Sequence, residues 1–531
     1  MARARTLQRI GAGVTAALGG VVAYDVLQRR HAILHNFPVA GHFRYLLESI
    51  GPELRQYIVT NNDEERPFSR DQRAWVYMSS KARRNTFGFG SDNDMEDVDD
   101  YLVIKHAMPP WPAPEPGRPG SPPLHLVPAL KVLGAAHSRA HAFRPASIVN
   151  ISGMSFGALS GAAVEALNRG AEAAACLQTT GEGGLAPAHC HGGELVFQIG
   201  TGYFGCRDAQ GRFDLGRLQE TIARAPVRAL EIKLSQGAKP GLGGMLPGRK
   251  VTPEIAAIRG VEPGVDCVSP PRHSAFSTVE ELCAFVEDIA AATGLPVGIK
   301  SAVGVQAFWD DLAAHMARTG TGPDYVCIDG GEGGTGAAPL AFSDHVALPF
   351  KVGFSRVFGT FARHGLSDDV VFIGSGRLGL PDAALFAFAM GCDMVNVGRE
   401  AMLSIGCIQS QRCHTDRCPT GVATQNRWLT RGLDPTLKAE RCANYVRILR
   451  GELLALAGTC GLPHPALVGP DQLEVLSSGF RARTIREVFG YDEQWLSADP
   501  GRVDAAAALM QAVTPPPAAS PTGPSAASGG R

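Results

Sequence analysis

From residue 147 onward, short apolar runs alternate with alanine-rich segments whose apolar residues recur at helical spacing. This alternation is typical of β-strand–α-helix units and predicts a parallel sheet. We predict eight strands: Ser147–Ile151, Ala174–Thr179, Leu195–Ile199, Ala229–Leu234, Pro296–Lys300, Tyr325–Asp329, Val370–Gly374 and Met394–Val397. Eight strands close a (β/α)8 TIM barrel. An open doubly wound sheet would place a G-x-G-x-x-G turn after its first strand, and none occurs there. We therefore predict the closed α/β barrel.

The segments around the barrel have different patterns. A ninth apolar run, Val265–Ser269, is predicted to belong to an excursion over the barrel mouth. Residues 31–146 are predicted to form a helical and irregular extension that contains a proline-rich connector over residues 109–123. The barrel and a cysteine-rich loop occupy residues 147–430. A C-terminal helical segment is expected over residues 431–513, and a disordered tail over residues 514–531.

Residues 1–30 are predicted to be a candidate membrane anchor. Residues 10–24 are uncharged and rich in Gly, Ala and Val, with arginines on both sides. A membrane span needs about 20 apolar residues, and Asp25 interrupts the run. A buried or interfacial helix and a signal peptide are the alternatives, although the residues that follow offer a poor cleavage site.

Charge and cysteine usage narrow the functional class. The chain has 50 basic and 51 acidic residues, which argues against a nucleic-acid partner. Most of the twelve cysteines are scattered through apolar contexts, as Cys176 and Cys327 are. This favours buried free thiols in a reducing compartment over a disulfide framework, and we predict that the body of the protein is cytoplasmic.

Three cysteines, Cys407, Cys413 and Cys418, occur together in the run GCIQSQRCHTDRCPTGVATQ. Their spacing lets one loop place three thiolates around a small inorganic cluster, since thiolate is the ligand that iron–sulfur clusters and zinc take. Three ligands without an obvious fourth favour a [3Fe-4S] cluster, which carries one electron. A zinc site with His414 as fourth ligand and cysteines without function are the alternatives. The loop predicts an electron-handling enzyme.

Glycines and polar residues follow the predicted strands, at the carboxyl ends where barrel enzymes build their sites. In chain order these are Met154, Ser155, Glu182, Lys233, Gln236, Lys239, Lys300, Gly333, Gly334, Gly374, Gly376, Gly398 and Arg399. The loops after strands seven and eight are the usual phosphate site of such barrels, and glycine lets backbone N–H groups approach a phosphate. Tight turns also use glycine, so these loops alone are weak evidence.

The cysteine run resembles the cluster loop of the glutamate synthase family, in the pattern Gly-Cys-Ile, Cys-His and Cys-Pro-x-Gly-Val-Ala-Thr-Gln. Further motifs agree in the order of that family: SGMSFGALS, TGEGG, EIKLSQGAKPGLGGMLPGRKV, SPPRH and GGTGAAP. The similarity extends from Ile148 to Asn426. It implies an FMN-binding barrel that carries an iron–sulfur cluster.

The resemblance also implies residue roles. The FMN phosphate is expected at Gly374, Gly376, Gly398 and Arg399, and the flavin at Met154, Ser155, Lys300, Gly333 and Gly334. Lys233, Gln236 and Lys239 are expected to bind 2-oxoglutarate, because a dicarboxylate needs cations and amides. Glu182 is expected to orient the imine or relay a proton. The alternatives are a snorkelling Lys300, a solvated basic loop at 233–239 and an ordinary turn residue at 182.

Two positions depart from the family pattern, and two histidines are given no catalytic role. Thr180 stands where the family usually has Asn, and Gly331–Glu332 where it has Tyr-Asp, so the local contacts are expected to differ. His273 and His345 are interpreted as structural or mouth-lining residues. Arg249 and Lys250 are expected to add positive charge further out.

The implied reaction is reductive amination of 2-oxoglutarate by ammonia to give L-glutamate, with electrons from ferredoxin or a separate NAD(P)H-oxidising subunit. The first cysteine of the chain is Cys176, so we expect no glutaminase domain before the barrel and ammonia from solution or a separate glutaminase. An N-methylglutamate synthase type that uses an alkylamine is one alternative. A membrane-tethered flavin and iron–sulfur electron-transfer protein is the other, but it would not need the Lys233–Lys239 segment.

Overall fold

A computed structural model describes residues 2–28, 30–83, 85–91, 93–95, 99–112, 124–477, 481–497 and 499–513. Most of the predicted connector (residues 113–123) and the predicted tail (residues 514–531) lie outside the described residues. The chain divides into two compact units, residues 1–73 and residues 74–531.

The first unit is helical. Its elements are α1 (Ala2–Leu27), α2 (Ala32–Asn36), α3 (Ala40–Leu54), a π-helical turn (Arg55–Val59) and the start of α4 (Arg70–Ser80). Within the described residues, one stretch, Gln8–Leu27, is long and apolar enough to cross a membrane by length and composition. Asp25 lies inside α1, and its carboxylate is satisfied by a hydrogen bond from Val39 N (3.0 Å) and by His42 Nε2 at 2.9 Å.

The second unit contains the predicted barrel. Its eight parallel strands are β2 (Val149–Ile151), β3 (Gln178–Thr179), β4 (Leu195–Ile199), β5 (Val227–Lys233), β8 (Val297–Ser301), β9 (Tyr325–Asp329), β10 (Val371–Ser375) and β11 (Met394–Val397). They are hydrogen-bonded in that order, and Val395 of β11 pairs with Val149 of β2 to close the barrel. All eight sequence-predicted strands are therefore present, and the (β/α)8 prediction is confirmed.

Helices surround the barrel. They are α5 (Gly161–Ala174), α6 (Leu215–Ile222), α7 (Pro253–Arg259), α8 (Val279–Thr293), α9 (Ala307–Thr319), α10 (Leu340–His345), α11 (Phe350–Arg363), α12 (Pro381–Ala389) and α13 (Arg399–Ser404). The cysteine-rich loop begins directly after α13. The ninth apolar run forms β7 (Cys267–Val268), which pairs antiparallel with β6 (Met245–Leu246) outside the barrel, as an excursion would.

The C-terminal part contains α14 (Arg427–Thr430), α15 (Pro435–Thr459), α16 (Ile485–Phe489) and α17 (Pro500–Val513). It also contributes β12 (Leu473–Ser477) and β13 (Arg481–Thr484), which form an antiparallel sheet with β1 (Tyr101–Ile104). The sequence did not predict this sheet.

Side chains fill the barrel interior below the carboxyl ends of the strands. The buried cluster there includes Leu177, Val196, Ala229, Tyr325, Cys327, Val371, Ile373 and Met394. The Tyr325 hydroxyl donates to Leu230 O at 2.9 Å. A Cβ on Gly298 would lie 2.4 Å from the Tyr325 ring, so a glycine in β8 makes room for this tyrosine. The interior at this level is a packed core, as in other barrels of this kind.

Replacing Arg139 with Met is expected to destabilise the barrel. Arg139 is half-buried and contacts Glu287 (2.5 and 2.8 Å) and Asp324 (3.0 Å), so its loss leaves the buried carboxylate of Asp324 without its arginine partner. Removing one partner of a buried ion pair costs about 3 kcal/mol or more. Differential scanning fluorimetry should therefore show a melting temperature lower by several degrees. The matched control is Arg169→Met, which removes an exposed helical pair with Glu165 worth at most about 0.5 kcal/mol. Equal shifts would contradict this assignment.

Candidate functional site

Glu182 and Lys233 form a half-buried ion pair at the carboxyl end of the barrel. Glu182 lies in the loop after β3 and Lys233 is the last residue of β5; the Nζ–Oε1 distance is 2.9 Å. The Glu182 carboxylate fits between Gly200 and Gly244, where added Cβ atoms would lie 2.7 and 2.6 Å from its side chain. Burial opposes its charge, but Lys233 and Lys239 outweigh burial and lower the pKa of Glu182. The carboxylate is thus ionised at neutral pH and is not an ordinary solvated turn residue.

The segment after β5 extends this polar group. Lys233 Nζ donates to Gln236 Oε1 at 2.5 Å, and Gln236 Nε2 donates to Thr335 Oγ1 at 3.0 Å. Lys239 Nζ donates to Ala337 O at 3.0 Å, and burial lowers the pKa of Lys239. Because these side chains are buried or half-buried and interlinked, they do not form a solvated basic loop.

Lys300, at the end of β8, is buried inside the barrel mouth. Its Nζ lies 3.4 Å from Ser152 Oγ and 3.5 Å from Asp329 Oδ1. Burial disfavours its charge, but Asp329 and the other acidic groups nearby outweigh burial and raise the pKa of Lys300. Lys300 is therefore a fixed buried cation and not a snorkelling surface lysine.

Sequence reasoning missed several polar partners of these lysines. Glu231, in the middle of β5, accepts from Gln198 Nε2 at 2.6 Å, and burial raises the pKa of Glu231. Asp329 accepts from Gly237 N at 2.8 Å as well as contacting Lys300. Thr180, where the family usually has Asn, accepts from Gln198 N at 3.1 Å and so joins β3 to β4. The available signal was a polar residue inside an otherwise apolar strand, as Gln198 is in LVFQI.

Two glycines allow the mouth loops to pack together. A Cβ on Gly237 would lie 1.7 Å from Gly330 O, and a Cβ on Gly181 would lie 2.5 Å from Ser155 N. Gly181 also has φ of +75°, which favours glycine. The structure therefore brings the Lys233–Lys239 segment against the loop after β9, and the Glu182 loop against Met154 and Ser155.

His273 supports the backbone of Lys233. The Tyr203 hydroxyl accepts from Ser274 N and Ala275 N and lies 3.1 Å from His273 Nδ1, while His273 Nε2 lies 2.9 Å from Lys233 O. These partners require the hydroxyl to donate to Nδ1 and Nε2–H to donate to the carbonyl. Burial lowers the pKa of His273 to about 4, so the ring is neutral. These contacts are structural, which agrees with one of the two interpretations drawn from the sequence. His345 is exposed at the end of α10.

The buried histidines make stability depend on pH. Burial lowers the pKa of His189, His273 and His464 to about 4 each. Between pH 4 and 6.5 the unfolded chain binds protons that these native rings refuse, so stability falls as pH drops through this range, by up to roughly 3 kcal/mol per histidine. We expect a melting temperature that declines steadily from pH 6.5 to 4.5. A constant melting temperature over that range would contradict the buried neutral rings.

The glycines of the two predicted phosphate loops differ in their surroundings. Gly374 faces the core, because a Cβ there would meet Leu378, Phe350 and Cys392. Gly376, with φ of +131°, packs against the backbone of Gly330. A Cβ on Gly398 would meet only the Ser152 Cβ, at 3.7 Å. Of the predicted glycines at the ends of β10 and β11, Gly398 has open space beside its Cα, whereas Gly374 and Gly376 pack against neighbouring residues.

Arginines and a glutamate complete this side of the mouth. Arg399 is half-buried; its Nη2 donates to Glu332 O at 2.5 Å, and its side chain covers Gly334 at 2.7 Å from a would-be Cβ. Gly333 lies against Gly330 O. Burial, and after it the neighbouring charge of Arg377, lower the pKa of Arg399. The Glu332 carboxylate accepts from Phe350 N (2.9 Å) at the start of α11, so this departure from the family pattern has a local capping role.

The cysteine-rich loop packs on the loop that follows β2. Gln425 Nε2 donates to Gly157 O and Leu159 O (3.1 and 2.8 Å). Lys250 is buried and its Nζ donates to Ala158 O (2.6 Å), Ala423 O (3.1 Å) and Cys413 O (3.3 Å). The expectation that Lys250 adds charge further out is therefore wrong. Its carbonyl partners come from distant parts of the chain and hold the ammonium inside.

The three cysteines differ in their surroundings. Cys418 is buried, whereas Cys407 and Cys413 are half-buried. Burial, and after it Cys418, raise the pKa of Cys413, while Lys250 opposes this. The Tyr77 hydroxyl donates to Cys407 O at 2.8 Å. Among the described residues, no three His, Cys, Asp or Glu side chains are grouped as metal ligands. The loop thus brings three cysteines into one segment of the chain.

Comparison with known proteins identifies the family. The profile described as "Conserved region in glutamate synthase" matches residues 129–463. The "Glutamate synthase large subunit-like protein YerD" of Bacillus subtilis is 38% identical over 471 residues, which are 83% of this chain and 89% of YerD. The "Archaeal glutamate synthase [NADPH]" of Methanocaldococcus jannaschii is 35% identical over 317 residues, 59% of each chain.

A "Ferredoxin-dependent glutamate synthase" of Pyropia yezoensis is 38% identical over 224 residues, which are 42% of this chain but 14% of that protein. The chain thus spans most of YerD and smaller shares of the other two relatives. The family predicted from the motifs is confirmed. The chain belongs to the glutamate synthase family, and it is an oxidoreductase that acts on the CH–NH2 group of donors.

Proposed function

We propose that this chain catalyses the flavin-dependent reductive amination of 2-oxoglutarate to L-glutamate, with ammonia as nitrogen donor. The observation that carries the proposal is the buried group of Glu182, Lys233, Gln236 and Lys239 beside Lys300. Two ammonium groups and one carboxylate leave one positive charge at this position before Lys300 is counted. A dianionic substrate is the ligand that such a site attracts.

The residues present fit FMN. Gly398 provides backbone that a phosphate can approach, and Arg377 and Arg399 are neighbouring cations that an anion would stabilise. Lys300 lies deeper in the mouth, with Ser152 and Met154 in the adjacent loop. Bound FMN would supply a hydride from its reduced ring. Lys300 would stabilise the negative charge of that ring, since its own ammonium stays protonated.

Because Glu182 and Lys233 are paired, we assign different roles to the residues of the proposed substrate site. Lys233 and Lys239 would bind carboxylate groups, and Gln236 would add an amide donor whose orientation Thr335 fixes. Because Glu182 is ionised and paired, it cannot act as the resting-state acid. It would hold Lys233 in position and could accept a proton only when the pair opens.

The three cysteines are proposed to hold a [3Fe-4S] cluster, since soft thiolates in one loop suit that group. Packing of this loop through Lys250 and Gln425 against the loop after β2 supports an electron path toward the flavin. The printed names of the relatives include NADPH and ferredoxin. Reduced ferredoxin or a separate NAD(P)H-oxidising subunit is accordingly the proposed electron source.

The test is an anaerobic half-reaction. Chemically reduced protein is mixed with 2-oxoglutarate plus ammonia, glutamine or methylamine, and flavin reoxidation and the amino-acid product are recorded. Reoxidation with ammonia and formation of glutamate would support the proposal. Reoxidation with methylamine alone would assign an N-methylglutamate synthase activity. No reoxidation with any donor would leave an electron-transfer protein and contradict the proposal.

We also propose that the enzyme is cytoplasmic and tethered to the membrane by the apolar run over residues 10–24 of α1. The helix runs unbroken to Leu27, beyond Asp25, and most of its side chains are exposed. Membrane fractions washed with alkaline carbonate would retain a spanning chain and release a peripheral one.

A further inference from the structure

The helix α3 exposes an apolar face to solvent. Phe43, Leu46, Leu47, Ile50 and Leu54 follow the i, i+3, i+4, i+7 spacing of one helix face, and they are 63, 54, 43, 39 and 38% exposed. The opposite side is polar and carries the exposed ion pair of Arg44 with Glu48 at 3.0 Å. We call the five apolar residues the α3 face.

The α3 face is larger than an ordinary soluble surface tolerates. Single exposed leucines are common, but a contiguous face of five large apolar side chains marks an interaction surface. It continues into the π-helical turn, where Tyr57, Ile58 and Val59 are also exposed. Something other than water is therefore expected to cover it.

Two observations identify the cover as a lipid bilayer. The start of α3 is joined to the end of the membrane-length helix α1, because Asp25 accepts from Val39 N and meets His42. Residues 1–60 contain seven arginines and three acidic residues, although the complete chain has a formal net charge of −1. Excess positive charge beside an amphipathic helix is the pattern that binds anionic lipid headgroups. A protein partner seated on α3 would leave the apolar surface of α1 uncovered, whereas a bilayer covers both.

We propose that α3 lies in the membrane interface with the α3 face among the acyl chains, as the second part of a two-helix anchor. This inference rests on the proposed membrane tether and not on the proposed chemistry. The Asp25 carboxylate would hold the two helices together at the headgroup level, where its hydrogen bonds remove the cost of an unpaired charge.

The test uses the full chain, reconstituted into vesicles of phosphatidylcholine and phosphatidylglycerol. The photoreactive residue p-benzoylphenylalanine is placed at Leu47 in one variant and at the exposed Ser49, on the opposite face, in the matched control. After illumination, mass spectrometry measures the lipid adduct on each peptide. We expect at least about fivefold more adduct from Leu47, because one face lies in lipid and the other in water. Unchanged flavin absorbance in both variants verifies that the barrel is folded.

Other outcomes separate this inference from the tether. Equal lipid adducts from both positions, or crosslinks from Leu47 to a second copy of the chain, would overturn it. Alkaline carbonate washing of the same vesicles reports on α1. Chains that resist the wash but give no Leu47 adduct keep the tether and contradict the α3 proposal. Chains that are washed out after forming the adduct contradict the tether and also overturn the two-helix anchor, because α3 would then be a peripheral helix acting without a spanning α1.

Discussion

Lys233→Met is expected to slow 2-oxoglutarate-dependent flavin oxidation severely while flavin content stays near that of the unmodified protein. Lys233 Nζ contacts both Glu182 (2.9 Å) and Gln236 (2.5 Å), and it is the cation that links the two sides of the proposed substrate site. Removing it leaves the Glu182 carboxylate buried, unpaired and repulsive toward a dicarboxylate. Loss of one such charged contact costs about 2–5 kcal/mol, which corresponds to a rate lower by roughly 30- to 5,000-fold.

The measurement is single-turnover reoxidation of the reduced flavin, with the 450 nm flavin absorbance as the occupancy control. Lys105→Met is the matched substitution, because Lys105 forms an exposed pair with Glu474 at 2.9 Å and should change neither quantity. Lys233→Arg should recover part of the rate, since it restores the charge but not the geometry.

A double variant distinguishes function from folding. Glu182→Gln combined with Lys233→Met removes the unpaired carboxylate and should regain melting temperature without regaining turnover. If flavin content and turnover fall together in Lys233→Met, and both recover in the double variant, then Lys233 is a structural residue and the proposed substrate site is wrong.

The barrel could be predicted from sequence because of what parallel strands require. Strands buried on both sides are continuous apolar runs, such as Val371–Ser375 and Met394–Val397, and glycine-rich turns mark their ends. The sheet of β1, β12 and β13 gave no comparable signal. Its β13 strand, Arg481–Thr484, is charged and mostly exposed, so neither burial nor alternation distinguishes it from a loop.

The site residues could be predicted from sequence where they lie in one short motif. They could not be predicted where the site is formed by segments far apart in the chain. Lys233, Gln236 and Lys239 lie within seven residues, so sequence spacing alone brought them together. Lys250 could not be placed in this way, because its carbonyl partners Ala158 and Ala423 are 92 and 173 residues away. The roles of Glu231 and Asp329 were missed because they depend on strand order: β5 and β9 both pair with β8, and this brings the two carboxylates close enough to influence Lys300.

Cys413→Ser is expected to remove the iron–sulfur cluster and leave the flavin bound. Serine oxygen is a harder and less readily ionised ligand than thiolate, and a three-ligand loop has no spare cysteine to replace it. Flavin binding should survive, since the proposed FMN residues lie on the barrel and not in the loop. Iron content per chain, the EPR signal of the oxidised cluster and flavin absorbance measure the three quantities separately.

Comparing different electron donors for the flavin then tests the proposed electron path as well as the assignment of Cys413 as a cluster ligand. In Cys413→Ser, dithionite should still reduce the flavin, whereas reduced ferredoxin or an NAD(P)H-oxidising partner should not, because their electrons would have to pass through the missing cluster. Cys190→Ser is the matched control, since Cys190 is an exposed thiol outside the loop and should change neither iron nor flavin. If Cys413→Ser keeps its full iron content, the ligand assignment fails. If the unmodified protein contains zinc in place of iron, and His414→Ala releases it, the loop is a structural metal site and electrons must reach the flavin directly.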